Sequence, residues 1–74
     1  RILLAEDDPA LRARVAEALA GAGFAVDAVA DGNEAEFLGQ TEDFDAAVLD
    51  LGLPGMDGLA ALGRWRDAGR GFPV

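Results

Sequence analysis

The chain has 74 residues, 51% of them hydrophobic, with six basic and fourteen acidic side chains and a net charge of −8. A chain this short is one domain at most; its apolar content argues against disorder, and no apolar run approaches the roughly 18 residues of a membrane span. With neither cysteine nor histidine, disulfides, thiolate and imidazole metal sites and the commonest general base are excluded, so chemistry must run on carboxylates, and the acidic balance favours cations or basic partners over nucleic acid phosphates.

Arg1 leads straight into Ile2-Leu3-Leu4-Ala5, with no secretory pattern visible. This continuous apolar run predicts a strand buried on both faces of a parallel sheet. Asp8 stands where an N-cap belongs and Pro9 where a first helical residue does, and Leu11, Val15, Leu19 and Ala22 recur at helical spacing until Gly21 and Gly23 stop the helix. Phe24 to Val29 predicts a second strand, and Asp31-Gly32 turns into a second helix containing Glu34, Ala35, Phe37 and Leu38. Phe44 to Leu49 predicts a third strand too apolar for a wet face, with Asp50 at its carboxyl end. A loop from Leu51 to Asp57 follows, in which Pro54-Gly55 fits a type II turn, and Asp57 then caps a third helix from Gly58 to about Ala68. Leu59, Leu62 and Trp65 are expected on one side of that helix; Trp65, Phe24, Phe37, Phe44 and Phe72 read as core. Gly69 and Gly71 end the helix, and Phe72-Pro73-Val74 reads as a fourth strand beginning.

Three strand–helix alternations with short connections predict an α/β doubly wound parallel sheet, and the sequence shows no repeat, linker or internal domain boundary. Ligands of such sheets bind outside the carboxyl ends of the strands. Glu6, Asp7 and Asp8 follow the first strand and Asp50 follows the third. If those strands are neighbours, Asp7 and Asp50 converge with Glu6 close by, and one carboxyl must take up a proton or a hard cation must neutralise the group. Mg²⁺ suits it best, since it takes few carboxylates and keeps several waters, whereas Ca²⁺ demands more protein ligands. A carboxylate beside Mg²⁺ is a competent nucleophile for phosphoryl transfer, and Asp50, ahead of the Gly/Pro loop, is the better placed one.

Three stretches carry a family resemblance: Ile2 to Pro9 with Leu11-Arg12, then Gly23-Phe24-Ala25-Val26 leading to Asp31-Gly32-Asn33-Glu34-Ala35, and above all Phe44 to Gly58 with Leu49-Asp50-Leu51-Gly52-Leu53-Pro54-Gly55-Met56-Asp57. These resemble the receiver domains of two-component response regulators over all 74 positions, most closely the OmpR/PhoB-type branch whose receivers precede a winged-helix DNA-binding domain. The resemblance implies a flavodoxin-like sheet of order 2-1-3-4-5, cut after the third helix, with residues 1–74 forming the N-terminal portion of one receiver domain. It implies that Asp50 is the phosphoacceptor, that Asp7 and Asp50 bind Mg²⁺ directly, that Gly52 lends its backbone carbonyl to the metal, and that Glu6 acts through a metal-bound water. A sensor histidine kinase as donor, a homodimer of the full-length protein, DNA contact only through a separate effector domain, no membrane association and a cytoplasmic location complete the expectation. So does a phosphoacceptor that catalyses its own phosphorylation and dephosphorylation without being an enzyme. The family's Thr or Ser after the fourth strand and Lys after the fifth lie beyond Val74. Two rivals are a phosphate-ester hydrolase, which needs a second Asp where Gly52 stands, and a degenerate receiver acting only as an interaction module.

Overall fold

The computed structural model describes residues 1–74 and contains strands and helices in strict alternation: β1 (Ile2–Ala5), α1 (Pro9–Gly21), β2 (Val26–Val29), α2 (Gly32–Thr41), β3 (Ala46–Leu49) and α3 (Gly58–Asp67). The three strands form one parallel sheet of order β2-β1-β3, which is the first half of the order the resemblance implies. β1 is central and all four of its residues are buried, as its unbroken apolar run requires.

Each helix starts on an aspartate whose side chain accepts from the first-turn amides: Asp8 from Ala10 and Leu11, Asp31 from Glu34, and Asp57 from Ala60. Two helices end alike. Gly23 adopts φ 97° and Gly69 φ 78°, and the paired bonds Gly23 N–H to Ala20 O with Phe24 N–H to Leu19 O, and Gly69 N–H to Arg66 O with Arg70 N–H to Trp65 O, close both last turns in the same way. Gly21 and Gly71 therefore play no part in the stops.

Side chains alternate across the strands, and Leu3, Ala5, Val29 and Ala47 join Ala35, Phe44, Leu53, Ala61 and Trp65 in one buried cluster under α2 and α3. Trp65 is fully buried; its ring lies 5.1 Å from Phe72 and its Nε1 donates to Glu36 O at 3.1 Å. The other face is covered by α1 over β1 and β2, and no residue of α1 is fully buried.

Four expectations about burial are corrected. Phe24 is 47% exposed because it lies just past the α1 stop, outside β2, which starts only at Val26. Phe37 is 61% exposed and Leu59 62%: each sits two positions, about 200° of helix, from the inward-facing alanine, Ala35 or Ala61. Val48 is 45% exposed, so β3 does present a wet face, on the side that α1 leaves uncovered. The third strand starts at Ala46, with Phe44 buried just before it. The segment Phe72 to Val74 forms no strand, although Ala47 N–H donates to Pro73 O at 2.8 Å and so begins to pair the outer edge of β3.

Replacing the fully buried Trp65 by alanine should cost about 3–5 kcal/mol in urea unfolding of the full-length protein. A loss below about 1 kcal/mol, the range of surface substitutions, would show that the indole does not anchor the α2/α3 layer.

Candidate functional site

β1 and β3 run in register with Ala5 opposite Leu49, and each strand ends one residue before an acid. Asp50 N–H donates to Ala5 O at 3.0 Å and Glu6 N–H to Val29 O at 3.1 Å, so the ladder continues one rung past the strands and sets the backbones of Glu6 and Asp50 side by side. Carboxylate oxygens of Glu6, Asp7 and Asp50 consequently lie within 4.8 Å of one another. Glu6 and Asp50 are half-buried and Asp7 is exposed. The three acids named from sequence do converge, and the two neighbours read as helix caps, Asp8 and Asp57, are caps.

Local hydrogen bonds fix how much of each carboxylate is free. Asp8 N–H donates to Glu6 Oε1 at 3.2 Å, and Gly52 N–H donates to Asp50 Oδ1 at 3.1 Å. The exposed side chain of Asp7 accepts no hydrogen bond from the chain, and no backbone amide donates to Asp50 Oδ2. Partial burial pushes the Glu6 carboxyl above the usual carboxylate range. The charge of Asp50, a hydrogen bond with Asp50 and the charge of Asp7 push the same way, and the Asp8 amide opposes them. Glu6 is thus the member of the group that resists ionisation.

The donor set fits a hard divalent cation. Opposite ligands of an octahedral Mg²⁺ stand about 4.2 Å apart and adjacent ones about 3 Å, from a metal–oxygen distance near 2.1 Å. Oxygens gathered within 4.8 Å reach that span with small side-chain rotations. All three donors are carboxylate oxygens, as such a cation prefers, and the exposed flank at Asp7 leaves room for waters.

Gly52, named from sequence for its carbonyl, enters the site first through its amide. A Cβ at this position would meet nothing nearer than Asp50 Oδ1 at 3.8 Å, so its outer side is open to a bound group. At Pro54-Gly55, Gly55 takes φ 80°, the value the expected type II turn asks of it, but the hydrogen bond present closes three residues and not four, from Met56 N–H to Pro54 O at 3.1 Å. Two contributors were missed from sequence. Arg12 Nη1 donates to Glu6 O at 3.0 Å and to Asp7 O at 3.5 Å, which ties down the loop between β1 and α1; its position one helical turn past Asp8 was the available signal. Gly32 N–H donates to Pro54 O at 2.9 Å, a contact between remote segments that no local pattern announces.

A family model described as response regulator receiver domain matches residues 2–74. The chain is 47% identical to the transcriptional regulatory protein TctD of Salmonella typhimurium over 74 residues, all of this chain and 33% of TctD. It therefore spans about a third of the length of the curated relatives it matches. Among solved structures, the receiver domain of the Francisella response regulator 1452 superposes with a TM-score of 0.94 at 30% identity, over 99% of this chain and 60% of that one. The response regulator TrrA of Thermotoga maritima, solved in complex with Mg(2+)-BeF, gives 0.86 at 32% identity over 92% and 59%. TrrA solved in complex with the histidine kinase ThkA gives 0.82 at 33% identity over 90% and 58%.

The raised pKa of Glu6 sets a pH dependence. The proton that the folded chain retains stabilises it below the unfolded carboxylate pKa, and this contribution is lost as pH rises through the raised value. Glu6→Gln should therefore raise the urea midpoint at pH ~7 in metal-free buffer and leave it nearly unchanged at pH ~3.5, below the usual glutamate range. An equal shift at both pH values would show that Glu6 ionisation carries no penalty in the folded chain.

Proposed function

Because the chain belongs to the response regulator receiver family of two-component systems, we propose that it takes up a phosphoryl group on Asp50 from a phosphohistidine of a sensor histidine kinase. The observation that carries this reading is the meeting of Glu6, Asp7 and Asp50 at the carboxyl ends of two adjacent parallel strands. The complexes of the similar regulator TrrA with Mg(2+)-BeF and with a histidine kinase support it. Asp7 and Asp50 would hold Mg²⁺ directly, with the Gly52 carbonyl as a further ligand and Glu6 through a water. When bound there, the ion offsets repulsion between these carboxylates and the incoming phosphoryl oxygens.

Asp50 Oδ2 attacks phosphorus in line with the departing imidazole nitrogen; the N–P bond breaks, an O–P bond to the carboxylate forms, and the imidazole nitrogen keeps the electron pair and takes a proton. The Gly52 N–H on Oδ1 holds the carboxylate plane during attack. Hydrolysis by water at phosphorus releases inorganic phosphate and restores Asp50, so the chain is a self-catalysing acceptor and not an enzyme acting on an outside substrate. With Gly52 two residues after Asp50, the second carboxylate that a strand-end aspartyl hydrolase uses for proton transfer is missing.

The acyl phosphate would shift a pre-existing equilibrium between two surfaces of the whole receiver. The transcriptional regulators among its relatives favour a DNA-binding output through a separate effector domain, reached by homodimerisation of the full-length protein. No helix of the chain is long and apolar enough to cross a membrane, and we place the protein in the cytoplasm, where sensor kinases present their phosphohistidine.

Incubation of the full-length protein with acetyl phosphate and Mg²⁺ should add the mass of one phosphoryl group. Chelation of the metal should stop the gain, Asp50→Asn should abolish it, and Asp7→Asn should slow it by about 10²-fold or more, as for loss of a principal electrostatic group. Intact-mass spectrometry reads all four samples. No gain in the unmodified protein would rule the acceptor role out.

A further inference from the structure

The loop from Leu51 to Asp57 carries the amide that orients Asp50, yet it is seven residues of irregular chain beyond the nucleophile and needs something to hold its shape. Its two ends are fixed by Asp50 N–H on Ala5 O and by Gly58 N–H on Leu51 O at 3.1 Å. Leu53, 5% exposed, plugs into the core. The tip is seated on a different element, the first turn of α2. There Gly32 N–H donates to Pro54 O, which also accepts from Met56 N–H, and the two segments meet through reciprocal glycines. A Cβ at Gly32 would fall on the Met56 carbonyl, with Met56 Cα at 3.0 Å; a Cβ at Gly55 would stand 2.6 Å from Asn33 Nδ2. Asp31 fixes this turn from below by capping Glu34 N–H at 2.8 Å. Gly32 itself is buried, with no polar side chain and no part in the acidic group.

We infer that Gly32 is a positioning residue for the phosphoacceptor: its missing side chain lets the α2 start grip the loop tip, and that grip sets the Gly52 amide on Asp50 Oδ1 and aims Oδ2 for attack. The inference rests on the reading of Asp50 as acceptor. A methyl group at position 32 would push Pro54 to Met56 away from α2, and the displacement would pass along the few residues back to Gly52. Misplacement of a reacting group by about 1 Å can cost about a hundredfold in rate, so an effect of roughly ten- to hundredfold is expected with every carboxylate still present.

The test is the limiting rate of acyl-phosphate formation at saturating acetyl phosphate and saturating Mg²⁺, in the full-length protein, for Gly32→Ala. The control is Leu19→Ala, which removes packing near the far end of α1 from the loop, with both variants compared at a temperature where each is fully folded by circular dichroism. The limiting rate should fall about ten- to hundredfold in Gly32→Ala and stay within about twofold of the unmodified protein in the control. If Gly32→Ala does not fold, Gly55→Ala probes the same contact from the loop side against the flexible Asn33 amide and should slow the limiting rate likewise. Equal limiting rates in the unmodified protein and whichever loop-contact variant folds would overturn the positioning role while leaving the acceptor role intact. An unmodified protein that gains no phosphoryl group would instead remove the acceptor reading, and this inference with it.

Discussion

Three carboxylates held within 4.8 Å of one another repel, and their proximity is imposed by something stronger than their mutual preference. That something is the pairing of β1 with β3, whose ladder runs on through the amide of Asp50. Leu3 and Leu4, both essentially inaccessible to water, hold β1 in the centre of the sheet, and burial of such side chains stabilises by about 1.5–3 kcal/mol each. Glu6 and Asp7 are thus attached to the strand least able to move away, and Asp50 to the strand paired with it. Repulsion that cannot relax by displacement relaxes by protonation or by a counter-ion; at Glu6 partial burial is the main cause of the upward shift, and the charges of Asp50 and Asp7 add to it.

The two faces of the sheet contribute unequally. Under α2 and α3 the packing is dense: Trp65, Ala35, Ala61 and Leu53 are buried there, and Arg70 reaches across to the Gly39 carbonyl at 3.0 Å, near the end of α2. Over α1 it is thin, with Leu11 46% exposed and Val48 bare. The loop that follows Asp50 belongs to the dense face through Leu53, so the part of the site that must be held most accurately is tied to the best-packed part of the molecule. The loop that carries Glu6 and Asp7 is instead held by polar ties, the Asp8 cap and the Arg12 guanidinium on two carbonyls.

Most of the element order was legible because it is written in short-range signals. Apolar runs marked β1 and β3, aspartates marked each helix start, and Gly23 and Gly69 marked two ends. The acidic group was legible too, because strand-end acids in a parallel sheet point to one edge once neighbouring strands are assumed. Burial was less legible. Phe24, Phe37 and Leu59 are apolar, but an apolar residue does not declare which face of its element is covered. The buried stripe of α2 carries its small residues Ala35 and Gly39, and that of α3 carries Ala61 with Trp65, whose ring takes the room Gly39 leaves; Phe37 and Leu59 lie off those stripes. The seat of the Pro54 carbonyl on Gly32 was invisible for a related reason: it joins residues 22 apart (54 − 32), and a glycine that makes room for a distant carbonyl looks in sequence like any turn glycine.

The acids near the strand ends also sort themselves by how many oxygens they retain. Asp8 and Asp57 give an oxygen to helix amides, Glu6 gives one to Asp8 N–H, and Asp50 gives one to Gly52 N–H. Asp7 gives none and is exposed. A backbone amide on one carboxylate oxygen fixes the orientation of the group and leaves lone pairs for a cation. Glu6 and Asp50 each have one oxygen engaged by a backbone amide, and partial burial in addition disfavours the charge on Glu6. Under the proposed reading, Asp7 and Asp50 would hold the ion directly and Glu6 would act through a water, and the disfavoured charge on Glu6 is in keeping with that outer place. If Asp50 is the phosphoacceptor as proposed, the Gly52 amide on Oδ1 would leave Oδ2 as the oxygen presented to phosphorus.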